Sequence, residues 1–476
     1  MKILFVACDD KSFMKRGLII YLKDLAKNLS QRGHFVYLFS SGRYDFKLYP
    51  YLRKIIDKEI IQYEFINSPN IPFFHKRQPY HDIYHKQIEK YFKKVLKEVN
   101  PDIVIFREFE GLCANLITVS KKFNNTKTIC MLGNYSALCP EIDFYNFSKE
   151  TNCKDYNYGK ACIECNIPSS KRSFLSSLFL FLFHNKKNPI IKVRLINYYI
   201  IKKLIFNIGK YQNKQNRNVD SSVYRFRRKK FIEIINNCDL IIAISKRQCE
   251  IFTDHGINPN KIRVISMAMS HQDKIDFKPF LNNEMPITFG YIGRINKLKG
   301  CDILLKSFMK ITNKKRCKLF LYGKIDSDFY NDNRYILNSK NNIYYKGEYS
   351  ITELNKILHS IDVGIIPSIW EECYGHVGPE FLSASIPLIG SKIGGITDYL
   401  FDGKNGMLFS PGSVEDLLIK LNTIISDPDL ILQMKNNIIR ETRYLKHIDL
   451  METIFLNICS KDILSIKKFN LTSWVH

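Results

Sequence analysis

Strand-like and helix-like segments alternate along this 476-residue chain, and that alternation limits its fold more than any other feature. Ile3–Ala7 reads as a buried strand. Gly17–Ser30 reads as a helix with Leu18, Leu22, Leu25, Ala26 and Leu29 on one face, stopped by Gly33. Phe35–Ser40, Asp102–Phe106, Thr128–Leu132, Leu240–Ile244 and Ile262–Ser266 carry the same short apolar pattern. A polar stretch, Ser270–Glu284, precedes a second alternating half, with strands expected at Ile287–Ile292, Lys318–Tyr322, Ile343–Lys346, Val363–Ile366 and Pro387–Gly390. Such alternation predicts parallel sheets covered on both faces by helices, and the length predicts more than one core. The fold class is therefore α/β: two Rossmann-like, doubly wound parallel-sheet domains, 1–270 and 285–440, facing a central cleft. A helical tail, 441–476, is expected to pack back on the first domain.

Composition narrows the function classes. The apolar fraction of 45% is ordinary for a globular protein. The opening K-I-L-F-V-A-C-D-D turns acidic too soon for a secretory signal. The longest apolar run, Phe174–Phe183, has about half the length a spanning helix needs, so no membrane crossing is expected. The formal charge is +26, and between Lys186 and Lys230 fourteen Lys and Arg face a single acid, Asp220. Cations interleaved with Phe, Leu, Ile and Tyr over 174–230 suit an anionic bilayer surface, where each is worth about 1 kcal/mol. A packed helix with solvated lysines explains the segment as well. No nucleic-acid-binding module accompanies the charge, so nucleic acid is not an expected partner. The expected location is the cytoplasm, peripheral on the inner face of the cytoplasmic membrane.

The chemistry concentrates in the second half. Glu372 and Glu380 stand eight positions apart in P-S-I-W-E-E-C-Y-G-H-V-G-P-E (Pro367–Glu380), with Gly394-Gly395 following. The apolar run Ile361–Pro367 places Glu372 on a loop at the carboxyl end of a strand, where open α/β sheets bind ligands. Glu380 falls in the first turn of the next helix, expected over Phe381–Ser385, beside exposed amide donors. Two such carboxylates can hold two hydroxyl-bearing parts of one ligand, which suits a sugar nucleotide better than a metal. A first-turn Glu that merely complements the helix dipole is the plainer alternative. Earlier, Gly290-Tyr-Ile-Gly293-Arg294 follows a strand and Lys299-Gly300 opens a helix. Glycines that let a backbone approach closely, with two cations, favour a diphosphate.

These residues resemble the retaining glycosyltransferases of family 4, which have the GT-B fold. The resemblance runs through G-Y-I-G-R-I-N-K-L-K-G (Gly290–Gly300), L-F-L-Y-G (Leu319–Gly323), Pro367–Glu380 and Gly394–Phe409. It is looser in R-G-H-F-V, P-D-I-V and D-L-I-I-A-I-S of the first half. It implies that Glu372 contacts donor-sugar hydroxyls and Glu380 the ribose. Arg294 and Lys299, with Gly293 beside them, would receive the departing diphosphate. Tyr374, Gly375 and His376 would offer backbone amides, the loop through Val377 setting sugar choice. No cofactor is implied for catalysis. The implied partners are a nucleotide-diphosphate sugar and a saccharide or lipid-linked acceptor in surface polysaccharide biosynthesis.

The chain departs from that pattern in places. Relatives often carry Gly-Gly after the first strand; here Asp9–Gly17 leaves Arg16 and Gly17 to place a cation and a flexible residue at a helix start. Relatives tend to have a histidine where this chain has Gly133, while Asn134 and Tyr135 remain for the acceptor side. After Ile262, I-S-M-A-M-S replaces their Asn-Gly turn. Cys139, Cys153, Cys162 and Cys165, spaced C-x13-C-x8-C-x2-C, fit a structural zinc or ordinary free cysteines in a loop. A non-catalytic nucleotide-sugar-binding partner is the alternative function, motivated by Gly133.

Overall fold

A computed structural model describes residues 1–8, 17–41, 49–57, 59–70, 79–169, 220–279, 286–439 and 443–460. The described chain divides into two compact units. One comprises Met1–Ala243 and Ile251–Arg263 with the segment from Met451, and the other Ile244–Glu250 and Val264–Leu450.

Each unit holds one main sheet. In the first, β1 (Lys2–Cys8), β2 (Phe35–Ser41), β3 (Tyr51–Ile56), β4 (Ile61–Ile66), β5 (Ile103–Phe106), β6 (Lys127–Met131), β9 (Leu240–Ala243) and β10 (Ile262–Val264) lie in the order β10-β9-β6-β5-β1-β2-β4-β3. Two short strands, β7 (Tyr145–Asn146) and β8 (Thr151–Asn152), pair separately within the cysteine-bearing loop. β1 runs parallel to β2 and β5 and is buried along almost its whole length, as a strand covered on both faces must be. The pair β3 and β4 was not anticipated from the sequence. Arg53 and Glu64 interrupt its apolar pattern, yet they are directly opposite in the antiparallel register and Arg53 Nε donates to Glu64 at 2.7 Å. The charges that hide the strands are a cross-strand pair. The helix Lys86–Val99 was also missed; Ile88, Phe92, Val95, Leu96 and Val99 form its buried face.

In the second unit β11 (Ile287–Ile292), β12 (Cys317–Tyr322), β13 (Ile343–Gly347), β14 (Val363–Ile366), β15 (Leu388–Ser391) and β16 (Gly406–Phe409) follow the order β13-β12-β11-β14-β15-β16, every pair parallel. The order reverses between β11 and β14, so the loops after these two strands flank the switch point of the sheet, where ligands of such folds bind. Phe289, Leu304, Phe308, Leu319, Leu321, Ile365, Leu417 and Leu421 pack the core beneath them.

The division between units differs from the 1–270 and 285–440 ranges expected from polarity. The polar stretch after Ser270 opens with ordered contacts inside the second unit. His271 meets Glu380, and Asp273 accepts from the backbone amides of Arg443 and Tyr444. The last described helix is Arg443–Ser460, and within the first unit its Glu452 accepts from Arg32 and pairs with His34. Among the described residues no helix is long and apolar enough to cross a membrane.

Candidate functional site

The loop after β11 and the loop after β14 meet at the switch point of the second sheet. Gly300 takes φ +69°, and a Cβ there would lie 1.7 Å from the carbonyl oxygen of Pro367. Only glycine allows the two backbones this close. The approach brings Lys299 Nζ to Glu372 Oε2 at 2.6 Å. Ser368 Oγ donates to the same oxygen at 3.1 Å, and Lys299 lies 5.0 Å from the Trp370 ring centroid. Lys299 is also fixed at its backbone, where its N–H donates to Asn296 Oδ1. Glu372 is nearly buried. Burial pushes the hydroxyls of Tyr291 and Tyr399 well above the ordinary tyrosine range, and the nearby Glu372 carboxylate adds to both shifts.

Behind Glu372 the Gly394 backbone takes φ +56°, and a Cβ there would fall 2.3 Å from the Glu372 carbonyl oxygen. Gly395 N–H donates to that oxygen at 2.7 Å. The glycine pair therefore braces the carboxylate loop from below. Glu371, next in line, is held by Arg247 Nε and Nη2 at 3.3 and 3.1 Å.

Arg294 is directed differently from expectation. Its Nε donates to Asp326 at 2.8 Å, with Asn296 Nδ2 on the other oxygen of that carboxylate at 3.2 Å. One edge of its guanidinium is committed to Asp326 and not to the Lys299–Glu372 contact, while the terminal η nitrogens have no protein partner among the described residues. Asp326 follows β12 on the adjacent strand, and nothing in the local sequence marks it.

Glu380 lies in the first turn of a helix that starts earlier than expected, at Val377, and ends at Ser383. The positive φ of Ser385, +58°, stops the chain from continuing. Glu380 Oε1 is 2.8 Å from His271 Nε2. Tyr349 is close enough that Glu380 adds to the upward shift that burial imposes on its hydroxyl. Tyr374 is buried against His376 and Tyr399, with ring centroids 6.0 and 5.5 Å away. Gly375, at φ +77°, passes over Tyr399, whose hydroxyl donates to the Gly375 carbonyl. His271, Ser368, Trp370, Arg247 and Asp326 were not singled out from the sequence. Ser368 and Trp370 sit within the motif already quoted, while His271 and Asp326 could only be found in space.

In the first unit, the expected acceptor residues divide. Tyr135 is fully buried and stacks on Phe252 at 6.1 Å, so it is a core residue and not a ligand-facing one. Asn134 Oδ1 accepts from Ser136 N at 2.9 Å, while its Nδ2 is buried without a partner. Gly133 has a local reason: a Cβ there would lie 2.2 Å from Arg107 Nη1, which donates to Met131 O at 3.1 Å. The buried Arg107 guanidinium fills the space that a side chain at 133 would need. Arg107 directly follows β5 at the carboxyl edge of the sheet. Arg16 lies outside the described residues, as does the side chain of Gly17's neighbour Leu18; Gly17 itself is the first residue of the helix Gly17–Gln31.

Cys139, Cys153 and Cys162 lie near one another in the first unit. Burial first, and then Cys153 and Cys162, push the Cys139 thiol up; Cys162 is pushed up to about 11 by burial, opposed by Arg228. Cys165 Sγ accepts from Phe147 N at 3.3 Å. Among the described residues no three His, Cys, Asp or Glu side chains are grouped to hold a metal ion. Residues 170–219, most of the basic apolar segment, lie outside the described residues.

Residues 272–442 match the family model for glycosyl transferases group 1. An uncharacterized glycosyltransferase of Methanocaldococcus jannaschii is 25% identical over 213 residues, 41% of this chain and 53% of that protein. The capsular polysaccharide biosynthesis glycosyltransferase CapM of Staphylococcus aureus is 24% identical over 205 residues, 40% of this chain and 53% of that protein. The chain spans about half the length of the curated relatives it matches. Among solved structures, sucrose-phosphate synthase from Thermosynechococcus elongatus superposes with a TM-score of 0.59 at 14% identity, covering 98% of this chain and 99% of that one. HepE of Anabaena in complex with UDP-glucose does so at 0.55 and 14% identity, covering 98% and 100%. The fold is GT-B, with one Rossmann-like parallel sheet in each unit.

Proposed function

We propose that this chain is a retaining family 4 glycosyltransferase that moves a sugar from a nucleoside-diphosphate donor to a saccharide or lipid-linked acceptor in surface polysaccharide biosynthesis. It would work at the inner face of the cytoplasmic membrane. The observation that carries the reading is the contact of Lys299 with Glu372 at the switch point of the second sheet. A cation and a carboxylate there match the two ends of an activated sugar. The matched family model, the capsular relative and the fold shared with a UDP-glucose complex support the same donor class.

In this mechanism the acceptor oxygen forms its bond to the anomeric carbon as the bond to the diphosphate breaks, on the same face of the sugar. The acceptor proton passes to the departing phosphate oxygen. Lys299 and the η nitrogens of Arg294 receive the charge that develops there, and Glu372 turns to the sugar hydroxyls while Ser368 keeps its orientation. Glu380, steadied by His271, takes the ribose. The backbone amides of Tyr374 to His376 complete the donor contacts.

The test is release of nucleoside diphosphate from a panel of UDP-, GDP- and ADP-sugars in the presence of membrane lipid extract. The parent should turn over one donor, and Glu372→Ala should be slower by about 10²–10³. Equal background release from both across the panel would favour a binding-only partner. The observation behind that second reading is the Arg107 guanidinium in the space beside Gly133.

A further inference from the structure

The helix Lys86–Val99 carries a second feature besides its buried face. Lys86, Lys90, Lys93, Lys94 and Lys97 are all exposed. At 3.6 residues per turn they fall within an arc of about 100° and span roughly 16 Å of helix axis. The helix's own acids offset them only in part. Glu89 Oε1 accepts from His85 N at the helix start, and Glu98 pairs with Lys54 at 2.7 Å. Among the described residues none of the five lysines has a carboxylate partner; Lys94 lies 5.2 Å from the Tyr91 ring centroid. The opposite face, Ile88, Phe92, Val95, Leu96 and Val99, is committed to the core. The helix therefore cannot roll over and insert its apolar side into a bilayer. What it offers is a fixed row of ammonium groups on a surface of a protein whose formal charge is +26.

We infer that this lysine row is the face by which the protein docks on an anionic lipid bilayer, touching headgroup phosphates without penetrating the acyl layer. The inference deepens the proposed function and rests on its lipid-linked acceptor: a transferase whose acceptor sits in a membrane needs a surface that keeps it there. Charge complementarity selects the occupant. Five unpaired cations on one rigid face match a continuous sheet of phosphates, whereas the recognition of one soluble anion calls for convergent donors. Each lysine near such a surface contributes about fivefold to binding, the equivalent of about 1 kcal/mol.

The experiment uses the full chain and flotation with vesicles of equimolar phosphatidylglycerol and phosphatidylcholine, against phosphatidylcholine alone, at low and high salt. The parent should float with the anionic vesicles only and be released by salt. The triple variant Lys90→Gln, Lys93→Gln, Lys97→Gln should bind about 100-fold more weakly, and the matching Lys→Arg triple should keep parental binding. Exposed positions leave its melting unchanged, and turnover of donor with a soluble saccharide acceptor should equal the parent's. Equal flotation of parent and Gln triple overturns the inference, as does a parent that does not float. So does retention of the parent on immobilised polyphosphate without vesicle binding, which assigns the row to a soluble polyanion. Flotation that depends on the row in a protein with no turnover would leave the docking face standing and sink the transferase reading alone.

Discussion

Gly300→Ala is the sharpest probe of how the two site loops are held. The residue sits at φ +69°, and an added Cβ would lie 1.7 Å from Pro367 O and 2.6 Å from its carbonyl carbon. Ordinary contact begins near 3.4 Å, so the loops after β11 and β14 have to separate by roughly 1.5 Å. The left-handed backbone alone destabilises a non-glycine residue by about 1 kcal/mol, and forcing packed groups apart adds about 1–3 kcal/mol. Gly403→Ala is the control: its φ is +72°, with nothing within 4 Å of the added atom, so it isolates the backbone term. Thermal unfolding should show a loss of about 1 kcal/mol for Gly403→Ala and about 2–4 kcal/mol for Gly300→Ala. Activity should separate them further. Lys299 precedes Gly300 and Glu372 lies five residues beyond Pro367, so the 2.6 Å contact is disturbed. A misplacement of about 1 Å in such a site lowers turnover by about 100-fold, while Gly403→Ala should leave it unchanged. If the two variants lose equal stability and keep equal turnover, the close approach does not hold the site, and the reasoning fails.

Three further outcomes are expected. Trp370→Leu removes the ring 5.0 Å from Lys299 and should lower kcat/KM by about two- to fivefold, the worth of a partly exposed cation–π contact; a loss as large as that of Glu372→Ala would mean that the indole itself meets the donor. Gly133→Ala should displace the Arg107 guanidinium from Met131 O and lower stability by about 1–2 kcal/mol, and an unchanged melting temperature would show that the guanidinium moves aside freely. Burial lowers the His447 pKa from 6.5 to about 4, so the unfolded chain takes up the proton first. That group's contribution is complete above pH 6.5 and is lost as pH falls toward 4, by about 3 kcal/mol at 1.36 kcal/mol per pH unit. His447→Gln should flatten that part of the stability–pH curve, and an identical curve in both proteins would rule the histidine out as its source.

Much of the architecture was legible because short apolar runs such as Ile3–Cys8 and Ile287–Ile292, alternating with longer helical segments, read as doubly covered parallel strands. What escaped did so for physical reasons. β3 and β4 carry charges that cancel across the sheet, which no single-strand pattern reveals. Gly133 was visible as a departure, but its cause, Arg107, is 26 positions away and adjacent only because β5 and β6 are neighbours. The cysteine spacing fixed where the thiols lie along the chain and not where their sulfurs point. Tyr135 was placed on the acceptor side by the resemblance alone, yet its ring stacks on Phe252 in the core. Glu372, Glu380 and Lys299 were legible because the motif and the strand before it together specify a carboxyl-end loop.

The Lys299–Glu372 contact also explains how an ammonium and a nearly buried carboxylate are held side by side in this site. A lone ammonium beside a nearly buried carboxylate would be costly for either partner alone, so each satisfies the other at 2.6 Å. In the proposed donor complex a diphosphate would bring at least twice the negative charge of Glu372 to the same ammonium, and that difference would drive the exchange of partners. Glu372 would keep two supports in that exchange, because Ser368 donates to the same oxygen and Gly395 holds its backbone. In the proposed donor complex its freed lone pairs would face the sugar hydroxyls, each a donor. On the proposed function, donor binding would trade one set of charge-assisted hydrogen bonds at this pair for another without leaving a buried group unpaired.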